Sequence, residues 1–228
     1  MKRIDLAQDS QEWLDYKRTR IGGSGAKSIL PLTQGADRTP SGFWDLVASR
    51  LTSPMEQDED PRDRGHRLET DCIAELETII GKKLDSKPTP WVSDEDDGLM
   101  LSSDACEPVE VPTYDAEIKS FSSWGKHFKL IHQLNHQDIQ GDPLELLNMG
   151  YGSDFRYQIL HGFVVNPELR TRYFVSYCPE ANYDQHKLAI IPFERADYLD
   201  RIAELKTIEL DTLKRVRAVV SEMIGDDF

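Results

Sequence analysis

The chain has 228 residues, 39% of them hydrophobic, and carries 41 acidic against 27 basic side chains for a formal net charge of −14. That length and apolar content support one substantial α/β domain spanning residues 1–228, and the lack of any eighteen-residue apolar run excludes a membrane span. Met1-Lys-Arg-Ile-Asp-Leu6 has no apolar signal core, and Cys72, Cys106 and Cys178 are odd in number and far apart, as reduced thiols are, so a cytoplasmic protein is expected.

In chain order, residues 10–30 read as helix, turn, helix. Gly22-Gly23-Ser24-Gly25 enters the second of these, with Ser24 in N-cap position. Such a turn beside Lys17, Arg18 and Arg20 is either a capped surface helix or an anion site built from helix-start N–H groups. Ser41–Leu51 predicts another helix, and Ser53–Arg64, with Pro54 and Pro61, a charged linker. Leu68, Cys72, Ile73, Leu76, Ile79 and Ile80 then follow helical spacing over 66–80. Glu69 sits at the edge of that stripe, either a first-turn glutamate favoured by the helix dipole or a carboxylate awaiting a cation. Two or three strands are expected between Lys83 and Phe121, the last of them Tyr114–Phe121. Helices follow at 124–137 and 153–165, strands near 172–178 and 187–192, and a long closing helix at 196–224. This order predicts a central mixed sheet flanked by helices.

The chemistry concentrates between Asp104 and Lys119. Asp104 ends an apolar run, and thirteen positions later comes Glu117-Ile118-Lys119 on the predicted strand. Side chains alternate along a strand, so Asp115, Glu117 and Lys119 share one face, with Ala116 and Ile118 on the other for a core to cover. Two carboxylates and an ammonium can then converge on one point. Mg2+ takes oxygen ligands, usually one or two carboxylates with water and substrate phosphate, and a lysine beside it can orient water or stabilise phosphate charge. A solvated hairpin is the alternative for the same residues. His132-x3-His136 has the spacing of a zinc pair, but the sequence offers no third ligand. His161 reads as a structural residue or a DNA contact, and Gln158 as a half-buried helix residue beside an apolar stripe.

Taken in order, these features resemble the PD-(D/E)xK nuclease superfamily and, within it, the lambda-type (YqaJ-like) exonucleases of phage recombination. Trp13 followed by Lys17, Arg18, Arg20 and Ile21-Gly22-Gly23-Ser24 is similar to the family's N-terminal box. Gly65-x3-Glu69 resembles its helix carboxylate, Asp104 with Glu117-Ile118-Lys119 its catalytic core, and Tyr157-Gln158 its late glutamine. The chain departs from the pattern at Lys17, where the family has arginine, and at Ser103 and Ala105, where proline and glycine are usual. Three cysteines are too few for the cluster of an iron–sulfur nuclease.

The resemblance implies a restriction-endonuclease-like α/β core and a Mg2+-dependent 5′→3′ double-strand DNA exonuclease, with Mn2+ as substitute metal. It implies that Asp104, Glu117 and the Ile118 carbonyl hold metal, that Glu69 supports a second ion, and that Lys119 and Gln158 position the water. Lys17, Arg18, Arg20 and Ser24 would take the 5′-phosphate. It further implies duplex DNA ends as substrate, a ring-shaped homotrimer, a single-strand annealing protein as partner, and a phage or prophage protein in a bacterial host. The acids gather at Glu56–Asp63, Ser93–Asp97 and the tail from Gly225, so the net charge leaves room for a basic channel elsewhere. A restriction-like endonuclease and a non-catalytic acidic DNA mimic or regulator are the competing readings.

Overall fold

The structure is a computed structural model. It describes residues 12, 15, 47–48, 51–52, 61–86, 91–121, 124–135, 141–149 and 155–224, with side chains from 68 to 214 in the last five stretches. Trp13, Lys17, Arg18, Arg20 and Ile21-Gly22-Gly23-Ser24 of the N-terminal box, His136, the acids at 56–60 and the tail from Gly225 lie outside them.

The helices among the described residues are α1 (Pro61–Ile80), α2 (Gly125–Asn135), α3 (Arg156–Val165) and α4 (Leu199–Ile224). The strands are β1 (Trp91–Val92), β2 (Met100–Leu101), β3 (Ala105–Cys106), β4 (Tyr114–Lys119), β5 (Thr171–Tyr177) and β6 (Leu188–Glu194). β1 and β2 form a two-stranded antiparallel ribbon, and the other four make a sheet in the order β3-β4-β5-β6. β3 and β4 are antiparallel. The Thr113 carbonyl accepts from the N–H of Arg170 and Thr171 at one end, and the Ser120 hydroxyl reaches the Tyr177 carbonyl at the other. Positions on β4 and β5 therefore advance together, as in parallel strands, and the crossover between them carries α2 and α3. β5 and β6 run oppositely, since Arg195 N–H meets the Arg170 carbonyl and Cys178 N–H meets that of Lys187. The sheet is thus mixed, as expected from the element order.

Two compact units divide the chain. One comprises Met1–Leu68, Ser120–Gln140 and Ser176–Ala189; the other comprises Glu69–Lys119, Gly141–Val175 and Ile190–Phe228. In the first, His127 on α2 is fully buried between the Ser176 hydroxyl (2.8 Å from Nδ1) and the His186 carbonyl (2.7 Å from Nε2). A carbonyl only accepts, so Nε2 carries the proton and Nδ1 accepts from serine. Burial, above all, pushes the His127 pKa down to about 4. An unfolded histidine takes its proton near 6.5, so this group's contribution to stability is complete above that pH and is lost as pH falls toward 4.

The second unit holds every described candidate catalytic residue. α1 begins at Pro61 rather than 66, because proline is tolerated in a helix's first turn. Its buried stripe is Leu68, Cys72, Ile73 and Leu76; Ile79, expected in that stripe, is 61% exposed. The helix stops at Gly81, whose φ of 66° is the left-handed conformation that glycine adopts without strain, and whose N–H bonds the Glu77 carbonyl at 2.9 Å. α3 buries Ile159, Leu160, Gly162, Phe163, Val164 and Val165. Arg195 serves its C-terminal end, donating from Nη1 to the Phe163 carbonyl at 2.8 Å.

Both faces of β4 are covered. Asp115, Ala116, Glu117 and Ile118 are all buried, so its charged face is not the solvated surface an isolated D-x-E-x-K strand suggests. β5 is buried along its whole length, as a central parallel strand should be.

Candidate active site

β4 carries Glu117 and Lys119 on one face, and the backbone ladder brings Asp104 to them. Ala105 pairs with Ala116 and Cys106 with Asp115. Continuing that register sets Asp104 opposite Glu117. The Asp104 N–H bonds the Ala116 carbonyl at 3.2 Å, and its Oδ2 accepts from the Ile118 N–H at 2.6 Å. The carboxylate thus completes the ladder where β3 ends.

Like charges opposite one another in a sheet repel. Burial and then the Glu117 charge push the Asp104 carboxyl up to about 6, and Glu69 on α1 adds to the rise. The Ile118 hydrogen bond and the Lys119 charge pull the other way. Lys119 answers part of the repulsion directly, since its Nζ is ion-paired with Glu117 Oε1. The same ammonium lies 5.7 Å from the centre of the Phe155 ring, which leads into α3. Buried beside these acids is Cys72, whose thiol is pushed well up by burial and by the charges of Glu75, Asp104 and Glu69, so it is no nucleophile.

The structure therefore brings together Asp104, Glu117 and Lys119, with Glu69 on α1 near enough for its charge to act on Asp104. Among the described residues no three His, Cys, Asp or Glu side chains form a ready cage for a metal ion. Mg2+ rarely uses one: it is held through one or two carboxylates and completed by water and phosphate. An opposed carboxylate pair, one of whose acids is pushed up by burial and by its neighbour's charge, fits such an ion. A cation binds only the ionised carboxylate, so Mg2+ affinity is expected to be about tenfold weaker at pH 5 than at pH 8. Calorimetric titration at the two pH values checks this, and equal affinities would contradict it.

Gln158 is exposed on α3, rather than half-buried as its sequence context predicts. Its backbone is tied down: the Gln158 carbonyl accepts from Arg172 Nη1 at 2.6 Å. His161 is structural, spanning the Glu209 carboxylate (2.8 Å) and the Met100 carbonyl (2.9 Å). His132 is exposed on α2.

Sequence reasoning missed Arg172. It lies within β5 with none of its surface exposed, and its Nε contacts Asp115 Oδ1 at 2.8 Å and Oδ2 at 3.1 Å. Asp115 therefore meets an internal guanidinium and not the solvent. The available signals were an arginine directly before the apolar run Tyr173-Phe174-Val175 on a predicted strand, and a glycine in mid-helix. A Cβ on Gly162 would lie 1.7 Å from Arg172 Nη1. Gly162→Ala is accordingly expected to cost about 3 kcal/mol or more, because a buried guanidinium has nowhere to move. A urea melt checks it, and a change below about 1 kcal/mol would contradict the close approach.

No protein-family profile and no curated protein matches the chain. Solved structures do. LHK-Exo in complex with dAMP aligns over 95% of this chain and 98% of its own, with 17% identity and a TM-score of 0.51. The chain has the fold of LHK-Exo. A second structure of LHK-Exo, described as an alkaline exonuclease from Laribacter hongkongensis, aligns over the same shares with 17% identity and a TM-score of 0.48. A phage related exonuclease from Haemophilus somnus 129PT covers 88% of this chain and 94% of its own, with 16% identity and a TM-score of 0.44. In the fold shared with LHK-Exo, Asp104, Glu117 and Lys119 sit on the sheet's β3–β4 edge. No helix among the described residues is long and apolar enough to cross a membrane.

Proposed function

We propose that this chain is a Mg2+-dependent 5′→3′ exonuclease on double-stranded DNA, releasing 5′-mononucleotides and leaving 3′ overhangs for recombination by strand annealing. The observation that carries the reading is Asp104 opposed to Glu117 of β4, with the Lys119 ammonium on a Glu117 oxygen. A binding protein has no use for a repelling buried carboxylate pair, whereas a phosphodiesterase needs cation and substrate phosphate there. The fold supports the same reading, and LHK-Exo takes a deoxynucleotide, dAMP.

Asp104, Glu117 and the Ile118 carbonyl would hold the metal, with Glu69 supporting a second ion and Mn2+ able to substitute. Bound Mg2+ would supply Lewis-acid charge to the phosphate oxygens and lower the pKa of water. Lys119, anchored on Glu117, holds the attacking water in line and neutralises charge growing on the phosphate. Gln158 orients that water or the lysine. Hydrolysis adds water across the P–O3′ bond: the terminal nucleotide leaves with a 3′ hydroxyl and its own 5′-phosphate, and the attacked phosphate stays on the 5′ carbon of the shortened strand. Lys17, Arg18, Arg20 and Ser24 would take the terminal 5′-phosphate. The reading extends to residues 1–228 acting as one nuclease domain, to a ring-shaped homotrimer, and to a single-strand annealing protein as partner in a phage-infected cytoplasm.

The test is digestion of linear duplex DNA labelled at the 5′ or the 3′ end, beside a covalently closed circle. Early loss of the 5′ label with the circle intact is expected. Early loss of the 3′ label would reverse the polarity, and a nicked or linearised circle would make the protein an endonuclease.

A further inference from the structure

The guanidinium of Arg172 touches the strand that carries Glu117 and Lys119 and the helix that carries Gln158, and it reaches the segment of Asp104 through Asp115. Its Nε pairs with Asp115, two residues before Glu117 on β4. Asp115 Oδ2 in turn accepts from the Ser103 hydroxyl at 2.5 Å, and Ser103 immediately precedes Asp104. Arg172 Nη1 donates to the carbonyls of Gln158 (2.6 Å) and Ile159 (3.1 Å) on α3. Arg172 and Asp115 are wholly buried, Ser103 is 5% exposed, and Nη2 is buried without a hydrogen-bond partner among the described residues.

Packing alone does not call for this arrangement. A buried ion pair is commonly matched or exceeded in stability by apolar residues of the same volume. A planar guanidinium, however, fixes direction as well as distance, because its N–H groups point along set lines. Here those lines end on β4, on the turn before Asp104 through Asp115, and on two carbonyls of α3. Gly162 leaves the helix face open where the guanidinium enters, since any Cβ there would overlap Nη1. Arg172, Asp115, Ser103 and Gly162 are thus one interlocked set, drawn from β5, β4, the β3 approach and α3.

We propose that Arg172 is a positioning residue for the nuclease centre: through Asp115, Ser103 and the Gln158 carbonyl it sets the separation of Asp104, Glu117 and Gln158. It touches neither substrate nor metal. The inference rests on the nuclease reading of the same site. Groups that orient metal-binding side chains from behind typically change metal affinity or activity by about 10–100-fold when removed.

The experiment compares the wild-type chain with the double variant Arg172→Met/Asp115→Leu, which removes both charges together, and with Ser103→Ala. Three quantities are read: the melting temperature, Mn2+ affinity without DNA by electron paramagnetic resonance, and kcat and KM on linear duplex. The double variant is expected to melt cooperatively, bind Mn2+ about tenfold more weakly, and lose about 10–100-fold in kcat with KM within about threefold. Ser103→Ala is expected to keep the wild-type melting temperature and lose several-fold in kcat. A folded double variant with wild-type Mn2+ affinity and kcat would overturn the proposal. Should the double variant not melt cooperatively, Ser103→Ala decides, and wild-type kcat in it overturns the proposal. A wild-type chain that binds Mn2+ but cleaves no DNA would end the nuclease reading, while the affinity comparison would still judge Arg172.

Discussion

Lys119→Ala is expected to lower kcat on linear duplex by about 1,000-fold, with KM for DNA changed by less than about threefold. Two losses combine in that figure. The ammonium no longer holds water against the phosphate, and the charge that partly offsets the Asp104–Glu117 repulsion disappears. Lys119→Arg keeps the charge but replaces a compact ammonium by a wide planar fork, so it is expected to recover less than about tenfold of the loss. Single-turnover kinetics at saturating Mg2+ separate the effects, because saturating metal removes any contribution from weakened binding. A Lys119→Ala enzyme within about tenfold of wild type would show that the lysine is an ion-pair partner and nothing more.

Asp104→Asn is expected to abolish cleavage and yet stabilise the metal-free protein. The Asp104 carboxyl is raised to about 6 in the fold, against about 3.9 when unfolded. Above pH 6 it is ionised in both states, and holding that charge buried and beside Glu117 costs about 3 kcal/mol. As pH falls from 6 toward 4 the native carboxyl takes up its proton first, so this group's contribution to stability improves toward acid. His127 does the opposite over nearly the same window, since its folded pKa of about 4 lies below its unfolded value. The two trends offset each other in the wild-type protein. Asparagine keeps an oxygen for the Ile118 N–H and removes the charge, which leaves the His127 trend unopposed. Urea melts in chelator should therefore show Asp104→Asn more stable than wild type at pH 8, with the advantage gone near pH 4 and a steeper acid limb. Equal slopes, or a variant less stable at pH 8, would mean that neither burial nor Glu117 disfavours the Asp104 charge.

The part of this site that sequence makes legible is local. Glu117-Ile118-Lys119 shares a face by strand alternation alone, and Asp104 follows from an apolar run that ends at the acid. The stripes of α1 and α3 likewise announce themselves at helical spacing. What stays hidden depends on partners far along the chain. Asp115 looks like a third member of the charged face, and only the fold reveals that it answers Arg172, 57 positions away. β1, β2 and β3 are two residues each, too short to carry a period. Ile79 has the spacing of a core residue but lies exposed in the last turn of α1. The early start of α1 was obscured by reading Pro61 as linker punctuation, when proline suits a first helical turn as well.

The most direct measurement is the release of mononucleotides from linear duplex DNA by the wild-type chain, followed by chromatography, with Mg2+ and then with excess chelator. 5′-Mononucleotides are expected to accumulate with Mg2+, to stop accumulating on chelation, and to resume when Mg2+ is restored. No release at any Mg2+ or Mn2+ concentration, or release undiminished by chelator, would contradict a metal-dependent nuclease centre at Asp104, Glu117 and Lys119.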